Sequence, residues 1–175
     1  MSLETYEDAR PWAKAIKEEV MTRRMPKWHA VRGYGDFAND PSLSAFEIAL
    51  ITAWADGGAP LGVSQAVNRV REKAATAPVE RPRNARDVKV ACGEKPLPEG
   101  TLLAVRPEIE KDQSLGMAVR LPNGRREIVG WIRGYDPEFS TTYWLRAPLV
   151  LPRGSVLTTE PADGCTVIVT LAARR

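Results

Sequence analysis

Glu108 and Glu110 are separated by a single residue in a stretch of strand-forming side chains. A period of two puts both carboxylates on one face of a strand. Carboxylate oxygens suit hard cations such as calcium, magnesium or manganese. Arg106 and Lys111 stand beside the pair, so the same residues also describe an exposed charged edge. A second cluster, Met25, Trp28 and His29, follows a helical stretch. His29 follows Trp28 in a loop; it can fill an open haem or metal position, and a surface or hydrogen-bonded histidine is the commoner case. Packing between helices accounts for Met25 and Trp28 as well. The two cysteines, Cys92 and Cys165, are far apart in the chain; nothing pairs either with His29 as a nucleophile, and a free cysteine buried in a strand is the commoner case. Cys165 alternates with Val167 and Val169 and shares their face.

His29 is the sole histidine, which excludes a histidine-rich metal centre built from one chain. Two cysteines exclude a zinc ribbon and a disulfide-dense scaffold. Phosphate loop, dinucleotide fingerprint and nucleophile elbow are all missing from the sequence. The 22 acidic residues allow many carboxylate pairs for acid–base work, and no spacing singles one out.

These residues must be held by elements, and 175 residues can build one large domain or two small ones. The composition is 43% hydrophobic and 27% charged, ordinary for a globular chain and unlike a disordered or collagenous one. No run approaches the ~18 apolar residues of a membrane span. The start, Met1-Ser2-Leu3-Glu4, lacks the basic and apolar regions of a signal peptide, so the chain as written is expected in the cytoplasm. An upstream true start would make it periplasmic or exported. The net charge of +3 is uneven, because residues 61–90 hold seven basic residues against three acidic ones. That stretch reads as a basic linker with a possible short helix over 64–75. No aromatics interleave its arginines, so nucleic acid is not the expected partner.

Residues 1–60 are helical in pattern. Ala9, Trp12, Ala13, Ile16 and Val20 recur at helical spacing. A cap at Asp8 places Pro11 in the first turn, where a missing N–H costs nothing, so the main helix is expected from Ala9 to Arg24. Residues 26–42 read as an irregular loop. Ser44 and Glu47 form a capping box for a second helix, and Gly57-Gly58 stops it.

From residue 87 the pattern turns to strands. Short β-rich runs alternate with turn signals, and Asn123-Gly124 marks a hairpin. The expected architecture is α+β: a small N-terminal unit of two or three helices over 1–60, a linker over 61–86, and an antiparallel β-sandwich or jelly-roll-like domain of six or seven strands over 87–175.

Two segments resemble known proteins. Thr5-Tyr6-Glu7-Asp8-Ala9-Arg10-Pro11-Trp12-Ala13, Arg23-Arg24-Met25-Pro26-Lys27-Trp28-His29, and Ala53-Trp54-Ala55-Asp56-Gly57-Gly58-Ala59-Pro60 resemble the later part of a bacterial c-type cytochrome domain. Leu103 to Glu110, Leu121 to Glu127 and Leu151 to Gly154 look like the C-terminal β-sandwich half of copper type II, ascorbate-dependent monooxygenase-like proteins. The resemblance implies Met25 as an axial haem ligand, but the C-x-x-C-H attachment motif does not occur in this sequence. Haem is therefore expected only if that motif lies upstream. In the sandwich, Glu108 and Glu110 stand where the family has a copper-binding H-x-H pair, and Thr158-Thr159-Glu160-Pro161 replaces its closing histidine strand. Copper oxygenation is not expected.

Three roles follow. The first is a binding or assembly protein without catalysis, descended from such an ancestor and able to self-associate through its helical unit. The second is a haem-binding electron-transfer protein with Met25 as ligand. The third is a carbohydrate- or peptide-binding sandwich with Trp131, Trp144 and Tyr143 as its platform, although core packing explains those aromatics equally well.

Overall fold

The computed structural model describes residues 3–62 and 79–173. They form two compact units. Residues 3–28 and 41–62 make the helical unit; residues 29–40 and 79–173 make the β unit. The segment 29–40, expected as a loop of the helical part, is thus a component of the sandwich. The helix expected over 64–75 lies outside the described residues.

In the helical unit, α1 (Tyr6–Ala9) is capped by Thr5, whose hydroxyl accepts the Asp8 amide. A 3-10 turn over Arg10–Trp12 follows, and α2 spans Ala13–Met21. The single helix expected from Ala9 is therefore broken. Pro11 has no N–H to give, and the tighter turn stands at its place. α3 (Ala45–Asp56) starts at Ser44, and both halves of the expected capping box with Glu47 are formed. Gly57 caps its end. Lys17 of α2 reaches Asp56 of α3 at 2.6 Å, and the Tyr6 hydroxyl donates to the Ala59 carbonyl at 2.8 Å, tying the ends together.

The β unit holds eight strands: β1 (Ala85–Ala91), β2 (Glu94–Pro96), β3 (Gly100–Glu108), β4 (Leu115–Arg120), β5 (Arg126–Ile132), β6 (Tyr143–Leu151), β7 (Val156–Glu160) and β8 (Thr166–Ala172). The strand beyond the expected seven is the three-residue β2, too short to show an alternating pattern. One sheet runs β1-β8-β3-β6 and the other β2-β7-β4-β5. Every pairing is antiparallel. This strand order is that of an eight-stranded jelly roll. Between the sheets lie Leu102, Leu115, Ile132, Tyr143, Leu157, Val167 and Val169, all removed from solvent. At the β4–β5 turn the Gly124 amide donates to the Leu121 carbonyl at 2.9 Å. Pro122 and Asn123 sit at its centre, and Gly124 takes the left-handed φ of 82° that closes the hairpin.

Both sheets have an edge strand on the same side, β5 in one and β6 in the other. Residues 29–40 strap these edges. On β5 the Val31 amide donates to the Trp131 carbonyl and the Arg133 amide to the His29 carbonyl; on β6 Ala38 donates to Trp144 and Arg146 to Asp36. Asn39 adds a two-point clasp, its side chain accepting from the Trp144 amide at 3.0 Å and donating to the Thr142 carbonyl at 2.8 Å. Edge amides left open would invite pairing with other chains, and the strap occupies part of them. Phe37 anchors it from within, buried against Tyr143 with ring centroids 5.3 Å apart.

Candidate functional site

The outer face of the β2-β7-β4-β5 sheet carries a shallow trough of about 310 Å³. The register explains its shape. Trp131 on β5, Gly116 on β4 and Glu160 on β7 lie in one row across three strands. The next row places Ile128, Ala118 and Thr158 side by side, and the row after it Arg126, Arg120 and Val156. Gly116 and Ala118 have almost no side chain, so the middle strand forms a low floor. Trp131 and Ile128 rise on one side and Glu160 on the other.

Ile128 and Trp131 are three residues apart, and strict alternation would send them to opposite faces. A bulge in β5 resolves this. Met117 pairs with Gly130 while Ala118 pairs with Ile128, leaving Val129 as an extra, buried residue. The phase of the strand shifts there, and both side chains point outward. Trp131 is 42% exposed and Ile128 57%.

Tyr34 comes to this face from the strap. Its ring meets Trp131 edge to face, centroids 5.0 Å apart and planes at 81°. Gly35 follows with φ of 88°, and a Cβ there would strike the Val129 carbonyl. The strap can lie this close to β5 only because residue 35 has no side chain. Among the described residues, no hydrogen bond or ion pair engages the side chains of Trp131, Arg126 or Glu160. One corner of the face is filled by Arg120, which pairs with Glu94 at 2.6 Å.

Met25 follows α2 in the helical unit and is 42% exposed; Trp28 ends the first segment of that unit and is half-buried. His29 begins the strap of the β unit. Its Nδ1 lies 3.5 Å from the Tyr143 hydroxyl, and its ring 5.4 Å from that of Tyr135. Glu108 is the last residue of β3, so Glu110 lies beyond the strand and the two are not on one strand face. Both line an open depression of about 370 Å³ beside Tyr135. Glu108 is occupied by Lys89 at 3.2 Å, and the described residues hold no cluster of three or more metal-ligating side chains.

Tyr143 is no platform residue: it is fully buried, and Trp144 is half-buried beside the strap. Burial pushes the Tyr143 phenol well above its ordinary pKa, with the Tyr135 hydroxyl adding to the shift. Cys92 and Cys165 are not free but form a disulfide. The β1–β8 register ends at Ala91 opposite Thr166, so the next residue on each strand falls opposite the other, Cα atoms 5.3 Å apart.

The fold and this face define a jelly-roll-type sandwich carrying an outward aromatic trough. Compared with known proteins, the chain matches no family model, no curated protein and no solved structure. No helix among the described residues is long and apolar enough to cross a membrane.

Proposed function

We propose that the chain is a binding protein whose β unit takes its ligand on the outer face of the β2-β7-β4-β5 sheet. The observation that carries this reading is the trough itself. An exposed tryptophan and tyrosine stand over a floor of glycine and alanine, with an uncommitted base and acid at its margins. Exposed aromatics scattered singly would mean little, but a tryptophan held by a second ring beside a preformed depression is the usual composition of a recognition surface. The Cys92–Cys165 disulfide supports an oxidising compartment as the place of work. Haem binding through Met25 is the second role, supported by the sequence resemblance and by no feature of the trough.

The test is a parallel titration of the chain and its Trp131→Ala variant with cellohexaose and with tryptic peptides of casein, following tryptophan emission. The reading predicts a ligand-dependent change that the variant lacks. Emission indifferent to both probes, or a change equal in both proteins, contradicts it.

A further inference from the structure

The chemistry of the trough separates the ligands it can hold. We infer that it is a subsite for a neutral glycan, one gluco-configured pyranose ring lying against Trp131 with its hydroxyls read by Glu160 and Arg126; this rests on the sheet face being the binding surface.

Three observations favour a sugar over a peptide. The first concerns backbone recognition. An extended peptide gains affinity by adding to an open strand edge. Here the β5 edge is already engaged at its Trp131 end, by the Val31 amide on the Trp131 carbonyl at 2.7 Å and by Arg133 on His29 at 2.9 Å. Inside the sheet, the backbone groups of β4 are used by β5 and β7 on either side. A ligand on this face is therefore recognised by side chains.

The second is the mixture of surfaces. A pyranose whose ring substituents are all equatorial presents C–H groups above and below and hydroxyls around its rim. The indole of Trp131 offers an apolar plane for the first. Its own N–H has no partner among the described residues and can donate to the rim. Across the sheet, Glu160 lies in the same row as Trp131, two strands away, which is about 10 Å between backbones. Its carboxylate accepts from hydroxyls, and the Arg126 guanidinium donates to them. One acid and one base cancel, which suits an uncharged ligand over an anionic or cationic one.

The third is the floor. Gly116 lies between Trp131 and Glu160, and its backbone does not require glycine. A Cβ added there would find its nearest neighbours at 3.7 Å, an ordinary contact. The sheet could carry a side chain at this position, so the emptiness of the floor is not imposed by folding. It leaves room for a flat ring between the two walls.

The test uses the full chain, its Gly116→Val variant and its Trp131→Ala variant. Cellohexaose is the probe, and mannohexaose, with its axial hydroxyl, the stereochemical control. Calorimetry is expected to show cellohexaose binding, with mannohexaose weaker. Both variants should lose affinity by about tenfold or more, the first by filling the floor and the second by removing the stacking surface. Melting temperatures of the variants show that the fold is retained; if Gly116→Val is unstable, Gly116→Ala and Glu160→Ala take its place. Casein peptides bound in a Trp131-dependent manner without cellohexaose binding would overturn the glycan assignment and leave the binding face standing. Cellohexaose binding that survives every variant would overturn both, as would the failure of both probes to bind.

Discussion

The ring of Tyr34 stands at 81° to that of Trp131 with centroids 5.0 Å apart, although the two lie 97 positions apart in the chain. Neither residue reaches this position by its own strand geometry alone. Trp131 is turned outward by the bulge at Val129, and Tyr34 is delivered by a strap that joins the edges of both sheets. The aromatic surface is therefore a product of the whole sandwich.

The strap should be the most sensitive part of that surface. Phe37→Ala removes its buried anchor and is expected to cost about 3–5 kcal/mol. Gly35→Ala must put a side chain at φ of 88° and against the Val129 carbonyl. It should destabilise by at least about 1–2 kcal/mol from the backbone alone. Urea unfolding of the two variants measures both. A Gly35→Ala variant as stable as the parent would mean that the strap does not hold this close to β5.

Tyr34→Ala separates surface from fold. The residue is 41% exposed, so its removal should change stability by well under the Phe37 value while weakening any Trp131-dependent ligand. Equal losses of stability in Tyr34→Ala and Phe37→Ala would contradict the division between platform and anchor.

The disulfide closes a loop with a sequence separation of 73, for which chain entropy gives about 4 kcal/mol. The Cys92→Ser, Cys165→Ser double variant should unfold at markedly lower urea. Mass spectrometry of the unreduced chain after thiol alkylation should find neither cysteine labelled. Full labelling in a freshly purified, oxidised sample would remove the bond from the account.

Tyr143 predicts an alkaline weakness. Burial raises its phenol above the ordinary value of 10.0, so the folded chain holds the proton more tightly than the unfolded one. Its contribution is complete below pH 10 and is lost as pH rises from there toward the folded value. Stability compared at about pH 8 and about pH 11 should fall more in the parent than in Tyr143→Phe, which cannot ionise. Parallel decline in the two would show that other groups dominate.

Much of this architecture is legible in the sequence. The strands announce themselves by alternation between turn residues, and α3 by Ser44 and Glu47, because those signals are local. What is not legible depends on partners. Period two places Trp131 on the face of Val129, and only the pairing of Met117 with Gly130 and of Ala118 with Ile128 exposes the phase shift. Tyr143 reads as a platform aromatic from composition, yet its neighbour Phe37 comes from a stretch that looks like loop. Cys92 and Cys165 read as unrelated thiols until β1 and β8 are known to be adjacent. The cap lies at Thr5 and not at Asp8, and a 3-10 turn stands at Pro11, a compromise that a single-helix pattern does not contain.

In the proposed reading, ligand lies on the sheet face between Trp131 and Glu160. A two-dimensional amide spectrum of the labelled chain, titrated with cellohexaose, tests it most directly. The account predicts shifts concentrated at Gly116, Ala118, Ile128 and the Trp131 indole N–H, with β1 and β8 unmoved. Shifts confined to other surfaces, or no shifts at saturating glycan, would contradict it.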